Sequence, residues 1–218
     1  MGCLQALWAC LLVAMSPHVG NGNTIENNGN STNITEAVNT NQTLWLLWQT
    51  YRNGFDVCDG DICFKVNETC IRNMKINITK EEYYFNQTMK VGEGDDTTNY
   101  KGNFNDAQIP PKSMEVNEVT ADKDYGQHQV WTLQYLQPDT GRCMVFSIGQ
   151  LDSNIGTVLG TCDMYIKRTH YDSDPPESCK EFFMRRCNST KIYTPYAAAC
   201  IKHRNSPAPT EGNNHLES

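Results

Sequence analysis

Asp163 and Tyr165 stand either side of Met164, directly after Cys162. On a β-strand they share one face while Cys162 and Met164 share the other. If Cys162 reaches outward to a covering element, the carboxylate and the phenol point inward, where they suit hydrogen bonding and charge pairing with a small ligand. The alternative is a solvated Asp163 at a rim with Tyr165 filling core. Trp131, Tyr135, Tyr83 and Phe85 could line such a site and stack on a flat or cationic ligand, or pack as ordinary core.

Other clusters carry less. Asp56, Asp59 and Asp61 crowd Cys58 and Cys63, but the spacing is not that of an EF-hand, since the twelfth position from Asp56 is Asn67. No metal is expected there. The same stretch could close as a small ring displaying Asp-Gly-Asp, without the basic residue that integrin-blocking loops use. His128, His170 and His203 fall in no metal spacing, and no serine or cysteine has nucleophile-elbow context. Neither enzyme activity nor a cofactor is expected.

The chain has ten cysteines. Cys3 and Cys10 lie in an apolar opening too short to span a bilayer, so residues 1–22 read as a cleaved signal peptide. Eight cysteines remain: Cys58, Cys63, Cys70, Cys143, Cys162, Cys179, Cys187 and Cys200. They accompany glycosylation sequons at Asn30, Asn33, Asn41, Asn67, Asn77, Asn86 and Asn188. Secretion explains both, and in an oxidising compartment the cysteines are disulfides before they are ligands. About 105 pairings are open to eight cysteines, so spacing alone does not give the connectivity. The formal charge of −7 disfavours nucleic acid and anionic membrane as partners.

The elements that must position these residues read as strands. Residues 23–41, rich in Asn and Thr, form an expected flexible glycosylated leader, and 204–218 a disordered tail. The folded unit is then 42–203. Met74, Ile76 and Ile78 share one expected face, with Lys75, Asn77 and Thr79 on the other. Tyr83, Phe85, Met89 and Val91 oppose Tyr84, Asn86, Thr88 and Lys90. Trp131, Leu133 and Tyr135, and likewise Met144, Phe146 and Ile148, continue the rhythm. Segments near 44–51, 62–66, 72–79, 82–91, 97–104, 113–119, 128–136, 142–149 and 163–169 give eight or nine strands. One helix starts at Pro175 and Pro176 and ends near Cys187, with Cys179, Phe183 and Cys187 in one stripe.

Trp48-Gln-Thr-Tyr51, Cys143, Cys162-Asp-Met-Tyr, Pro-Pro-Glu-Ser-Cys179, Cys187 and Tyr196-x-x-x-Cys200 together resemble the tick salivary lipocalins related to histamine-binding proteins. The resemblance covers nearly the whole mature chain. It implies a mainly β fold, a lipocalin-type eight-stranded antiparallel β-barrel with a C-terminal α-helix, stapled by disulfides. It also implies bonds between Cys143 and Cys179 and between Cys200 and either Cys63 or Cys70. Cys162 with Cys187 then follows from the outward parity of Cys162 and the helix stripe, and Cys58 takes whichever of Cys63 or Cys70 remains.

Amine-binding members of that family show Cys-Asp-aliphatic, then Glu-Leu-aromatic, then Cys. Here Met144 follows Cys143, and Asp163-Met164-Tyr165 fills the second motif. The resemblance implies a secreted monomer that sequesters a small host inflammatory mediator, whether histamine, serotonin or an eicosanoid, and so suppresses host defence. With one motif carboxylate missing and one shortened, an aromatic pocket poor in acids would favour an eicosanoid over histamine, with Lys90, Lys101 or Lys112 meeting its carboxylate. The rival expectation is a lipocalin that binds a host complement, coagulation or platelet protein through its outer loops.

Overall fold

The computed structural model describes residues 32–119, 128–149, 161–167, 174–187 and 191–202. The expected signal peptide, residues 23–31 of the leader, the tail, Asn30 and Asn188 lie outside the described residues. The elements are α1 (Ile34–Val38), β1 (Leu44–Gln49), β2 (Gly54–Asp59), β3 (Ile62–Ile78), β4 (Glu82–Val91), β5 (Gly94–Phe104), β6 (Ser113–Glu118), β7 (His128–Leu136), β8 (Cys143–Gly149), β9 (Cys162–Lys167), α2 (Glu177–Arg186) and α3 (Ala199–Lys202).

The strands run antiparallel in the order β1-β9-β8-β7-β6-β5-β4-β3-β2, and β1 also pairs β3 through Leu44 opposite Asn73 and Trp45 opposite Arg72. That pairing closes β1 and β3 to β9 into an eight-stranded barrel, leaving β2 as a flap on β3. Closure removes the sheet edges that an open sheet would expose.

Two apolar layers follow from the alternation. Inside the barrel, Leu46, Ile71, Tyr83, Phe85, Met114, Val116, Trp131, Leu133, Phe146 and Tyr165 form one cluster. Outside it, Trp45, Leu47, Val145, Met164 and Ile166 pack with Phe183 of α2 and Tyr196 in a second. Strands β1, β8 and β9 are therefore buried on both faces, which is why they read as nearly unbroken apolar runs.

Four disulfides join Cys58 to Cys63, Cys70 to Cys200, Cys143 to Cys179, and Cys162 to Cys187. The last two tie α2 to β8 and β9 as the helix stripe predicts, since Cys179, Phe183 and Cys187 are all buried.

Local expectations are corrected in four places. The leader is structured from residue 32, because Ile34, Ala37 and Val38 bury completely into the inner cluster. The Asn33 side chain caps that helix by accepting from Thr35 N at 3.0 Å and Glu36 N at 3.5 Å. The segments expected at 62–66 and 72–79 form one strand, β3, bent where Cys70 takes φ 54° and the register shifts between Thr69 and Arg72. Below that bend Ile71 and Asn73 are buried while Met74 and Ile76 are exposed, so the expected face is reversed. A further shift between Lys75 and Asn77 brings Ile78 back against the core and leaves Asn77 exposed.

Tyr135 also leaves its expected face. Leu133 pairs Phe146 but Tyr135 pairs Val145, two steps on β7 for one on β8. This bulge turns Tyr135 out against α2, where its ring stacks on Phe182 at 4.7 Å.

Candidate functional site

The closed end of the barrel is plugged by α1, held by Ile34 N donating to Pro111 O at 2.9 Å. At the other end a cavity of about 380 Å3 opens among Tyr51–Phe55, the upper halves of β3 to β5, and the ends of β6, β7 and β9. It contains four carboxylates, Glu68, Asp96, Glu118 and Asp163, with the rings of Tyr51, Tyr100, Trp131 and Tyr165.

Asp163 is the most buried of the four carboxylates. Its inward orientation follows from register: it pairs Phe146, an inner-core residue, while Cys162 next to it bonds outward to Cys187 on α2. It is 2% exposed. Tyr51 Oη donates to Asp163 Oδ2 at 3.1 Å, whereas Oδ1 is enclosed with no hydrogen-bond partner. Burial raises the Asp163 pKa to about 7, against a smaller lowering by the Tyr51 hydrogen bond. An enclosed carboxylate oxygen without a donor is costly to keep and is the feature that a ligand cation would repair.

The surrounding groups share this electrostatic bias. Burial and then Asp163 push the Tyr51 hydroxyl well above its ordinary range, so it stays a donor. Burial raises Glu68, with Asp96 adding to the rise. Tyr100 is pushed up to about 12 by burial and then by Glu118, Glu68 and Asp96. Tyr165 rises for the same first reason, and Asn73 hydrogen-bonds its hydroxyl. The Trp131 and Tyr165 rings stack at 5.6 Å, and Trp131 Nε1 donates to Gln129 Oε1 at 2.8 Å, so the aromatic wall is fixed in place.

Of the residues anticipated from the sequence, Asp163, Tyr165 and Trp131 line the cavity. Tyr83 and Phe85 do not; they stack on each other at 4.8 Å within the core, and Phe85 stacks on Tyr100 at 5.4 Å, supporting the wall from behind. Tyr135 is on the outer surface against α2. Met144, in the position of the missing family carboxylate, is buried in the inner core.

The condition that would favour an eicosanoid, a pocket poor in acids, is not met, since Glu68, Asp96 and Glu118 line the cavity with Asp163. The first three come from β3, β5 and β6, far apart in sequence, which the sheet order sets close together; closure through β1 and β3 then brings Asp163 on β9 round to them. Lys90, Lys101 and Lys112 are not among the lining residues; Lys101 Nζ instead pairs with Glu82 at 2.6 Å. Among the described residues the cation lining the cavity is Arg52, whose guanidinium is engaged by Asn67 Oδ1 at 2.6 and 3.0 Å. Tyr51 was legible only as the end of Trp48-Gln-Thr-Tyr51.

Asp56, Asp59 and Asp61 lie exposed along the β2–β3 hairpin. Among the described residues no group of three His, Cys, Asp or Glu side chains converges as for a metal ion, and no helix is long and apolar enough to cross a membrane. Of the sequons, Asn41, Asn67 and Asn77 are exposed, while Asn33 and Asn86 are half-buried.

Comparison with curated proteins found no match. The family described as tick histamine binding protein matches residues 23–202, a span that includes all nine described strands, all four disulfides and the cavity itself. The chain belongs to the tick histamine binding protein family.

Proposed function

We propose that the protein sequesters a small cationic amine, histamine being the member of that class that its family name points to, with the ammonium group against Asp163 and the body of the ligand against Trp131 and Tyr165. The observation that carries this reading is the unpartnered, enclosed Oδ1 of Asp163 in a cavity with three further carboxylates. An ammonium there meets opposite charge, a hydrogen-bond acceptor and aromatic faces together. The loss of a carboxylate at Met144 is offset by acids that the family motif does not mark.

An eicosanoid fits this cavity less well, because its carboxylate would be brought among four others, and among the described residues the lining cation is the engaged Arg52. Serotonin, also an ammonium joined to an aromatic ring, is compatible with the same contacts.

The wider role is scavenging outside the cell: a secreted salivary protein that removes a host mediator by mass action, one ligand per barrel, without turnover. Four disulfides and three exposed sequons support this setting. The test is calorimetric titration of the disulfide-bonded protein with histamine, serotonin and a leukotriene. One-to-one binding of an amine that disappears in Asp163→Asn is expected. Binding of the leukotriene alone, or amine binding indifferent to Asp163→Asn, would sink the reading.

A further inference from the structure

The β2–β3 hairpin stands beyond the barrel with one face apolar. Its register pairs Phe55 with Val66, Val57 with Phe64, and Asp59 with Ile62. Residues opposite one another across an antiparallel pair share a face, so Phe55, Val57, Ile62, Phe64 and Val66 lie together, with Asp59 beside Ile62 at the tip end. Phe55 is 49% exposed, Val57 46%, Ile62 63% and Phe64 61%. The reverse face holds the Cys58–Cys63 bond and opposes Asp56 to Lys65. An amphipathic flap pinned by its own disulfide keeps apolar surface in water that an ordinary soluble domain would bury.

Two residues say where that face leads. Along β3 the alternation Ile62, Phe64, Val66, Glu68 stays on one side, and Glu68 lines the cavity; on β2, Phe55 lines it as well. The apolar face is therefore the outward continuation of the cavity wall, reached by any ligand too long to end inside. A bilayer is a poor occupant, because Asp59 and Asp61 at the tip would enter it first.

From this continuity we infer that the site also takes amphipathic amines, with the ammonium among the cavity carboxylates and an apolar body that extends through the mouth onto Val57 and Phe64. This rests on the amine reading of the cavity. Each methylene laid on that face leaves water, so affinity rises with apolar length beyond what the cavity alone accommodates. The hairpin then selects for the size of the amine while Asp163 selects for its charge.

Butylamine and octylamine carry the same ammonium and differ in apolar length. Calorimetry on the wild-type protein and on Val57→Thr/Phe64→Thr separates the two contributions, and threonine keeps strand propensity at both exposed positions. Octylamine is expected to bind the wild type at least tenfold more tightly than butylamine. The double variant should lose at least fivefold in octylamine affinity and bind butylamine as the wild type does, which also reports that it is folded. No gain from butylamine to octylamine, or a gain untouched by the hairpin substitutions, overturns the inference, leaves the cation site standing, and returns the flap to a protein-contact role. Silence from both amines overturns the amine reading and this inference with it.

Discussion

The flank of the barrel under α2 and the mouth around Asp163 are built by opposite rules. On the flank, β1, β8 and β9 are apolar on both faces, and three disulfides, Cys70–Cys200, Cys143–Cys179 and Cys162–Cys187, tie distant segments together. At the mouth, four carboxylates line one cavity, and among the described residues the staple there, Cys58–Cys63, closes a hairpin on itself. The strand that presents Asp163 belongs to both regions. Its outward residues, Cys162, Met164 and Ile166, are fixed to the flank, and its inward residues are Tyr165 and a carboxylate held without full compensation. Stability surplus on one side of β9 supports strain on the other, the usual relation between a scaffold and a binding site.

The largest effect should come from the flank. Cys70–Cys200 spans a sequence separation of 130, and the chain-entropy model puts closing such a loop at about 5 kcal/mol. Cys70→Ala/Cys200→Ala should therefore lower global stability by several kcal/mol in denaturant titration. A loss below about 1 kcal/mol would show that the buried packing of Trp45 on Tyr196, 5.1 Å apart, holds the flank without the bond.

At the mouth, Asp163→Asn should act in two directions. Amine binding should fall at least a hundredfold, because the desolvated ammonium loses its charged partner. Stability of the ligand-free protein at pH 8 should rise. The folded carboxyl keeps its proton up to about pH 7 and the unfolded one only to about 3.8, so the stability that proton binding contributes is complete below the lower value and lost as pH rises through the upper. The loss is on the order of 4 kcal/mol, and asparagine, which never ionises, does not incur it. Thermal melts at pH 5 and pH 8 check this: the variant's advantage should appear at pH 8 and shrink at pH 5. Destabilisation at pH 8 would mean that Asp163 is a structural residue and not a strained one.

The same carboxyl predicts the pH response of binding. An ammonium pairs with the ionised form, so affinity should be steady above pH 7 and fall about tenfold per unit below it. Tyr51→Phe should shift this profile. Removing the hydroxyl that donates to Oδ2 removes the contact that, among the described residues, favours the carboxylate, which raises its pKa further, moves the break to higher pH and weakens binding at pH 7 by about tenfold. Calorimetry across pH 5 to 9 reads both; an unmoved break would show that the Tyr51 bond does not set the charge of Asp163.

How far the sequence foretells each region follows the same division. The flank was legible, because Cys179, Phe183 and Cys187 mark a helix stripe and Cys162 then fixes the parity of Asp163 and Tyr165. Where backbone irregularity intervened, parity failed: the bulge after Leu133 turned Tyr135 outward, and the bend at Cys70 reversed Met74 and Ile76. The mouth was legible only at Asp163, Tyr165 and Trp131. Glu68, Asp96 and Glu118 sit in polar runs that look like solvated strand ends, and their common destination follows from the pairing of strands distant in sequence, with barrel closure bringing Asp163 to them. Helix α1 was hidden for a different reason, since its three buried residues lie in an Asn- and Thr-rich stretch whose composition argues against order.

The smallest effect should be the most diagnostic of the contrast. Cys58→Ser/Cys63→Ser removes a staple with a sequence separation of only 5, for which the chain-entropy model allows about 2 kcal/mol at most. Even that figure presumes a hairpin fully ordered in the native state. Residues 54–65 are exposed, so without the bond the hairpin can fray while the barrel stays closed, and the freedom returned to the unfolded chain is returned to the folded one too. Global stability should then change by less than about 1 kcal/mol, while hydrogen exchange at Val57 and Phe64 accelerates and that at Met164 does not. A global loss comparable to that of Cys70→Ala/Cys200→Ala would erase the distinction between the two regions, because it would make the flap part of the cooperative core.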